Sequence, residues 1–448
     1  MSEPLEHRPT APAAKGNRLD RWSQAYATRT RGMSASQIRA LFAVASRPEV
    51  VSLAGGMPNL SALPMDAVAE LVSSLVAERG ATALQYGSGQ GDPALRESIC
   101  EVMAEEGISA HADEVVVTTG SQQALDLVTR VFCDPGDVVV AEAPSYVGAL
   151  GVFRAYQADV VHTPMDADGL DVAALDATLV RLRQQGRTVK LLYTVPNHHN
   201  PAGVTLSAAR RPQVVEVARR HGVLVLEDNP YGLLGFDAGP LPALRSLDSE
   251  GVVYLGSFSK TFAPGLRVGW ALAPHAVREK LVLASESAIL CPSMFGQMVV
   301  QQYLHTQDWR HQVKLFREVY RERRDALLTA LSVHLPTATW TVPHGGFYVW
   351  ARLPDPLDAQ AMLARAVTAR VAYVPGTAFF AQGSGDDVGR HHLRLSYCFP
   401  SPERITEGVR RLAGVVDDEL ELLDTFGPGA THDRHSADQL RAPGPDLR

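Results

Sequence analysis

Four side chains fall together within residues 251–270 (GVVYLGSFSKTFAPGLRVGW), and between them they could hold and react with a small anionic molecule. Val252, Val253, Tyr254 and Leu255 form an apolar, β-branched run of the kind that makes a buried parallel strand. The run ends at Gly256; Ser257, Ser259 and Lys260 follow, and Arg267 comes seven residues after the lysine. Two hydroxyls, an amine and a guanidinium just past the carboxyl end of a strand suit a phosphate. A lysine amine condenses with aldehydes, and pyridoxal 5′-phosphate is both an aldehyde and a phosphate. A solvated lysine in a plain loop would read the same way in isolation, so the other strand ends decide.

Those ends carry complementary groups. Gly120-Ser121-Gln122 opens a helix, whose free N–H groups and dipole attract an anion that Ser257, Ser259 and Arg267 could complete. Tyr146, after EAPS, is placed to stack on a planar ring. Asn200, in NPAG, is a turn residue that could also donate to a phenolate oxygen, and Tyr231 could reach the same oxygen. Asp228 ends the strand VLVLED; its carboxylate either caps the next turn or holds a pyridine nitrogen protonated, which makes the ring an electron sink. Arg394 lies in the apolar run HLRLSY, where burying a guanidinium needs a carboxylate from the protein or from a substrate.

The elements needed to position these groups follow the hydrophobic pattern. From residue 114 onward strands and helices alternate: VVVTTG, SQQALDLVTRVF, VVVAEAPSY, VVHTP, KLLYTVPN, VLVLEDNPYG, VVYLGSFSK and VGWALA. This predicts an α/β fold, a mainly parallel sheet flanked by helices, with ligands gathered at the strands' carboxyl ends. Helices are expected over residues 34–45 and 66–78, and after Asp92-Pro93 as N-cap and first helical residue. Gly55-Gly56 could let the backbone approach a ligand. The glycines at 87, 89 and 91 lack the spacing and preceding strand of a dinucleotide site. After Pro292 the pattern becomes α+β: a long helix over 294–331, GGFYVWARL, a helix over 359–369, VAYVPG, HLRLSYC, and a last helix from Ser401-Pro402-Glu403 with Ile405, Val409, Leu412 and Val416 on one face.

Composition bounds the rest. The 448 residues suffice for two domains, and 46% hydrophobic with 20% charged residues describes an ordinary globular protein. A formal charge of -7 offers no basic patch for nucleic acid, and no membrane or metal is expected as a partner. The four cysteines are scattered without a CxxC pair, as reduced thiols in a cytoplasmic protein would be, and the first residues lack the apolar core of a secretion signal.

Taken jointly and in this order, the motifs QIRAL, LAGGMPN, LQYGSGQG, TTGSQQALDLV, PSY, YTVPN with NPAG, EDNPYG, GSFSK with GLRVGW, GGFYVW, VPGTAF and LRLSY resemble those of the fold-type-I pyridoxal-phosphate aminotransferases of class I/II, nearest the 2-aminoadipate/kynurenine branch. The resemblance runs over residues 34–423. It implies a seven-stranded sheet, a tail over 1–30, an N-terminal arm over 31–55, a large cofactor-binding domain over 56–295, a small domain over 296–424 and a tail over 425–448. It implies Lys260 as the Schiff-base lysine and proton shuttle. It implies phosphate contacts from Ser121, Gln122, Ser257, Ser259 and Arg267, with Tyr86 reaching in from the partner subunit of a homodimer. Tyr146 would stack on the ring, Asp228 would pair with its nitrogen, and Asn200 and Tyr231 would tune its O3′. Arg394 would bind the substrate α-carboxylate, with Arg39 and Gly56 lining the side-chain pocket.

The activity so implied is transfer of an amino group from an L-amino acid to a 2-oxo acid. The chain departs from that branch at His198-His199, which stand where Gly-Asn is usual. Two imidazoles there are either passive loop residues or extra acid/base groups that redirect the reaction toward decarboxylation, elimination or oxidation by oxygen. His344 raises the same question. A transcription regulator with an aminotransferase-like domain is the alternative of another class; it would need a basic DNA-binding domain ahead of the fold.

Overall fold

The computed structural model describes residues 22, 25–32, 47–385 and 387–426. The helix expected over 34–45, with Arg39 in it, lies outside the described residues, as do 1–21 and 427–448 of the expected tails. A 3-10 turn occupies Thr28–Gly32. Strand β1 (Val51–Ser52) is followed by helices α1 (Met65–Ala83) and α2 (Pro93–Ala104), then β2 (Val115–Thr118), α3 (Ser121–Phe132), β3 (Val138–Ala143) and α4 (Val147–Ala155). Next come β4 (Asp159–Asp166), β5 (Gly169–Leu170), α5 (Val172–Gln184), β6 (Val189–Thr194), α6 (Arg211–His221), β7 (Leu224–Asp228), β8 (Val252–Ser257) and β9 (Gly269–Leu272). The remainder is α7 (His275–Ile289), α8 (Met294–Thr306), α9 (Trp309–His334), β10 (Thr339–Trp340), β11 (Tyr348–Arg352), α10 (Leu363–Thr368), β12 (Val371–Ala372), β13 (Val374–Pro375), β14 (His392–Ser396) and α11 (Pro402–Phe426).

The central sheet runs β2-β9-β8-β7-β6-β3-β4-β5. β8, β7, β6, β3 and β4 are successive parallel neighbours; β9 is antiparallel to both β2 and β8, and β5 to β4. The sheet therefore has eight strands where seven were expected. The eighth, β5, is a two-residue return against the end of β4, too short to leave a hydrophobic signature of its own.

The alternation of side chains along each strand explains why helices cover both faces. Val139, Ala141, Leu191, Tyr193, Leu226, Val253 and Leu255 point to one face, where Ala124, Leu125 and Val128 of α3 and Phe153 of α4 bury them. Val138, Val140, Leu192, Val225 and Val252 point to the other, against Leu175, Leu179 and Leu182 of α5 and Val214 and Ala218 of α6. At about 1.5–3 kcal/mol per fully buried aliphatic side chain, these two layers fix the strand register and hence where each strand ends.

A second, antiparallel sheet has the order β10-β11-β14-β13, and β1 pairs in parallel with β12. The apolar face of α11 (Ile405, Val409, Leu412, Val416) is buried with Phe316, Tyr320 and Leu331 of α9, as the spacing anticipated. Two expected helices differ. The long helix over 294–331 is broken: Gln307 is extended, and Asp308 caps α9 by accepting the His311 N–H at 2.9 Å. The helix expected over 359–369 begins only at Leu363, because Asp358 turns its carboxylate onto the N–H groups of Gln360 and Ala361. Among the described residues no helix is long and apolar enough to cross a membrane.

Asp92 caps α2 as read, accepting the Leu95 N–H at 2.9 Å ahead of Pro93. Replacing it by Ala is expected to cost ~1 kcal/mol in chemical denaturation; an unchanged midpoint would show that the Gln297 contact to the Asp92 N–H holds this turn alone.

Candidate active site

Five strands of the central sheet end toward one cavity of about 380 Å³, lined by groups from their carboxyl ends and from β11 and β14. Its anion corner lies between β8, β9 and the start of α3. The Ser257 hydroxyl donates to Ser259 Oγ at 2.9 Å, and the Ser259 N–H donates back to Ser257 Oγ at 3.1 Å. Arg267, held in the left-handed region at φ 54°, places Nη1 3.5 Å from Ser259 Oγ and donates from Nη2 to the Thr119 carbonyl at 3.1 Å. Gly120, at φ 79°, is where the chain turns into α3, and a Cβ there would run into the Arg267 guanidinium. Ser121 then opens the helix, so its first N–H groups share the corner with the two hydroxyls and the guanidinium.

Lys260 Nζ donates to the Gly56 carbonyl at 2.7 Å and lies 5.4 Å from the centre of the Phe347 ring. Burial lowers its pKa to about 8, and the positive charges of Arg394 and Arg267 push the same way. The glycine pair singled out in the sequence thus supplies the carbonyl that parks the amine.

Asp228, at the end of β7, is buried. Its Oδ2 accepts from the Tyr193 hydroxyl at 2.8 Å, whereas Oδ1 has no hydrogen-bond partner among the described residues. Burial raises the carboxyl to about 6, against the opposing effects of the Tyr193 hydrogen bond and the nearby His199 imidazole. An orphaned buried carboxylate oxygen is costly unless a donor meets it.

Arg394 is 2% exposed on β14. It donates to Asn200 Oδ1 at 2.8 Å and to the Ala54 carbonyl at 2.6 Å, and its guanidinium stacks 4.2 Å from the Tyr348 ring centre and 5.1 Å from that of Phe379. No carboxylate pairs with it among the described residues, and Nε has no partner there either. A buried cation left in this state marks a place for a carboxylate from outside the chain.

The remaining expected residues divide. Tyr146 and Tyr231 line the cavity, Tyr146 at the N-cap of α4 and Tyr231 edge-on to Phe347 and Tyr348. Gln122 stands behind: its Oε1 accepts from the Tyr146 hydroxyl at 3.2 Å and its Nε2 donates to the Gly148 carbonyl, so it braces the aromatic ring and does not line the cavity. Tyr86 is 77% exposed and outside the cavity, and Arg39 lies outside the described residues.

None of His198, His199 and His344 lines the cavity, which favours the alternative of passive loop residues. His198 is packed against Gly345, accepts or donates only at Thr205, and is driven by burial to a pKa of about 3. His199 lies 3.2 Å from Glu142. His344 is exposed and 3.3 Å from Asp237.

Sequence reasoning missed Tyr348 and Met57 in the wall and Tyr193 beside Asp228. Tyr348 sits in GGFYVW, and the alternation of that strand places it opposite Phe347 and Val349; the signal was present. Tyr193 looks like any core residue of its strand.

A lysine of pKa about 8 is half neutral where ordinary lysines, near 10.4, are almost fully charged. Reductive labelling of the cofactor-free protein with an aldehyde, read by peptide mass spectrometry, should rise at Lys260 with a midpoint near pH 8. Surface lysines should follow about two units later. Coincident profiles would contradict the burial of this amine.

The fold and this arrangement can be set against known proteins. The family model for aminotransferase class I and II matches residues 48–412. The chain is 41% identical over 394 residues to aromatic-amino-acid aminotransferase 1 of Thermococcus litoralis, covering 87% of this chain and 93% of that one. It is 39% identical to the 2-aminoadipate transaminase of Thermus thermophilus over 90% of this chain and 99% of the relative. The crystal structure of Pyrococcus horikoshii kynurenine aminotransferase with PMP, kynurenine and product superposes with a TM-score of 0.85 at 37% identity, over 90% of this chain and 99% of that chain. The helix-mouth anion corner, the buried amine and the orphaned Asp228 oxygen fit a phosphorylated pyridine aldehyde. The chain belongs to the class I and II aminotransferases of fold type I, and it is a pyridoxal-5′-phosphate-dependent transaminase acting between amino acids and 2-oxo acids.

Proposed function

We propose that this transaminase acts on L-amino acids with bulky apolar or aromatic side chains, and that it works as a cytoplasmic homodimer. The observation that carries the substrate reading is the cavity wall. Its charged side chains are Asp228, Lys260 and Arg394, each with a role of its own, and its apolar and aromatic lining includes Met57, Tyr146, Val147 and Tyr348. The described part of the wall therefore offers no second cation for a distal carboxylate. Names of relatives that act on aromatic amino acids and kynurenine agree with this reading.

The bound cofactor supplies an aldehyde that takes up the amino group and a ring that accepts the electrons freed at Cα. Arg394, oriented by Asn200, grips the α-carboxylate and so fixes which substituent of Cα faces Lys260. Lys260 Nζ, released from Gly56, would take the proton from the substrate Cα and hold it for return; a pKa of about 8 suits an amine that must both accept and give up a proton near neutral pH. Asp228 Oδ1 holds the proton of the ring nitrogen, and Tyr193 keeps that carboxylate turned toward it. Ser121, Ser257, Ser259 and Arg267 hold the phosphate. Tyr146 stacks on the ring, and Asn200 and Tyr231 face its phenolate edge.

In this reading residues 56–295 form the cofactor-binding domain and 296–424 the smaller one. The homodimer draws support from the surface around Tyr86. Leu84 and Tyr86 are 75% and 77% exposed, and their loop packs beside Glu286 and Met294, next to Leu290 at 57% exposure. Such a patch favours covering by a second subunit, which would bring Tyr86 to a neighbouring site. The free cysteines Cys100, Cys133, Cys291 and Cys398 agree with a reducing compartment.

Holoenzyme mixed under argon with L-phenylalanine alone should release one equivalent of the 2-oxo acid per site and stop until a second 2-oxo acid is added. Carbon dioxide, free ammonia or a need for oxygen would mean a different reaction. Faster conversion of L-glutamate or L-2-aminoadipate than of aromatic donors would overturn the substrate reading.

A further inference from the structure

One residue makes three of the hydrogen bonds that close the loop presenting Asn200 to the cavity. His199 uses its backbone and its ring together: its N–H donates to the Val204 carbonyl at 2.8 Å, its carbonyl accepts the Gly203 N–H at 2.6 Å, and its Nδ1 accepts the Ala202 N–H at 3.2 Å. With Nδ1 an acceptor, the neutral ring carries its hydrogen on Nε2, which lies 3.2 Å from Glu142 Oε2, within ion-pair distance but outside hydrogen-bond geometry. Both side chains are almost completely buried.

Glu142, near the end of β3, holds the other side of the same loop. It accepts from the Thr194 hydroxyl at 2.7 Å and from the Val195 N–H at 2.9 Å, at the end of β6 from which the loop departs. One carboxylate thus ties the loop's start to its apex, and the next residue after the apex histidine is Asn200. Asn200 in turn holds Arg394 at 2.8 Å. We propose that His199, clamped by Glu142, is a positioning residue that sets the Asn200–Arg394 pair and thereby the affinity for the substrate α-carboxylate. This rests on the reading of Arg394 as the carboxylate site. The groups facing the imidazole are Glu142 from β3, the Ala202 N–H from the loop and, within electrostatic range, Asp228 from β7.

The test uses holoenzyme and α-methyl-L-phenylalanine, which lacks the Cα hydrogen and so reports binding without turnover. His199→Ala should weaken its Kd by about tenfold to a hundredfold, and raise KM far more than it lowers kcat, since Lys260 and Asp228 keep their own partners. His199→Asn, whose Oδ1 can still accept the Ala202 N–H, should recover most of the loss. Glu142→Gln should fall between wild type and His199→Ala. Kd values within about twofold of wild type in all three variants, or a loss of kcat with KM unchanged, would overturn the proposal. If His199→Ala does not fold, the Asn and Gln variants decide by the same measure. A wild-type enzyme that fails to bind the analogue saturably overturns the Arg394 reading, and this inference with it; a wild type that binds while its variants match it overturns this inference alone.

Discussion

A buried carboxylate with one satisfied oxygen and one bare one is the constraint on which the site turns. Asp228 ends a strand whose neighbours on both sides are parallel and apolar, so its position is fixed by sheet register. Tyr193 fills one oxygen from the adjacent strand. Leaving the second empty in a low-dielectric interior is unfavourable, and the carboxyl responds by rising to about 6. In the proposed reading, a protonated pyridine nitrogen is the donor that removes this cost. The free energy of meeting the bare oxygen then becomes cofactor affinity and, as charge moves into the ring, stabilisation of the transition state.

The same logic recurs at the opposite wall. Among the described residues Arg394 is a buried cation balanced only by carbonyl oxygens and aromatic faces, and in the proposed reading a substrate carboxylate completes it. Lys260 lines the same cavity, neutralised in part by burial and parked on Gly56. The chain has thus placed three unfavourable electrostatic situations around one cavity. Two well-packed hydrophobic layers on the faces of the sheet supply the stability that holds them there.

How much of this could be read from the residues follows from range. Groups at strand ends were legible because a strand that stops at a Gly, Ser, Asp or Asn announces both an edge and a function; Ser257, Lys260, Asp228 and Asn200 all lie where that pattern put them. The parallel sheet, the cap at Asp92 and the helix start at Pro402 depend on neighbours within a few residues, and these too were visible. What local pattern left open depended on distant partners. His198 and His199 look reactive beside Asn200 until Thr205 and Glu142 are seen to occupy them. The side-chain amide of Gln122, expected toward the phosphate, is held by Tyr146 and Gly148. Strand β5 is too short for periodicity, and the break after Thr306 turns on one Asp competing with the helix backbone.

The protonation state of the cofactor ring nitrogen tests the central claim most directly. Nitrogen NMR of holoenzyme reconstituted with ring-labelled pyridoxal phosphate should show a protonated nitrogen at neutral pH, and Asp228→Asn should lose that proton while the protein stays folded. A nitrogen already deprotonated in the wild type, or one whose proton survives in Asp228→Asn, would contradict the account.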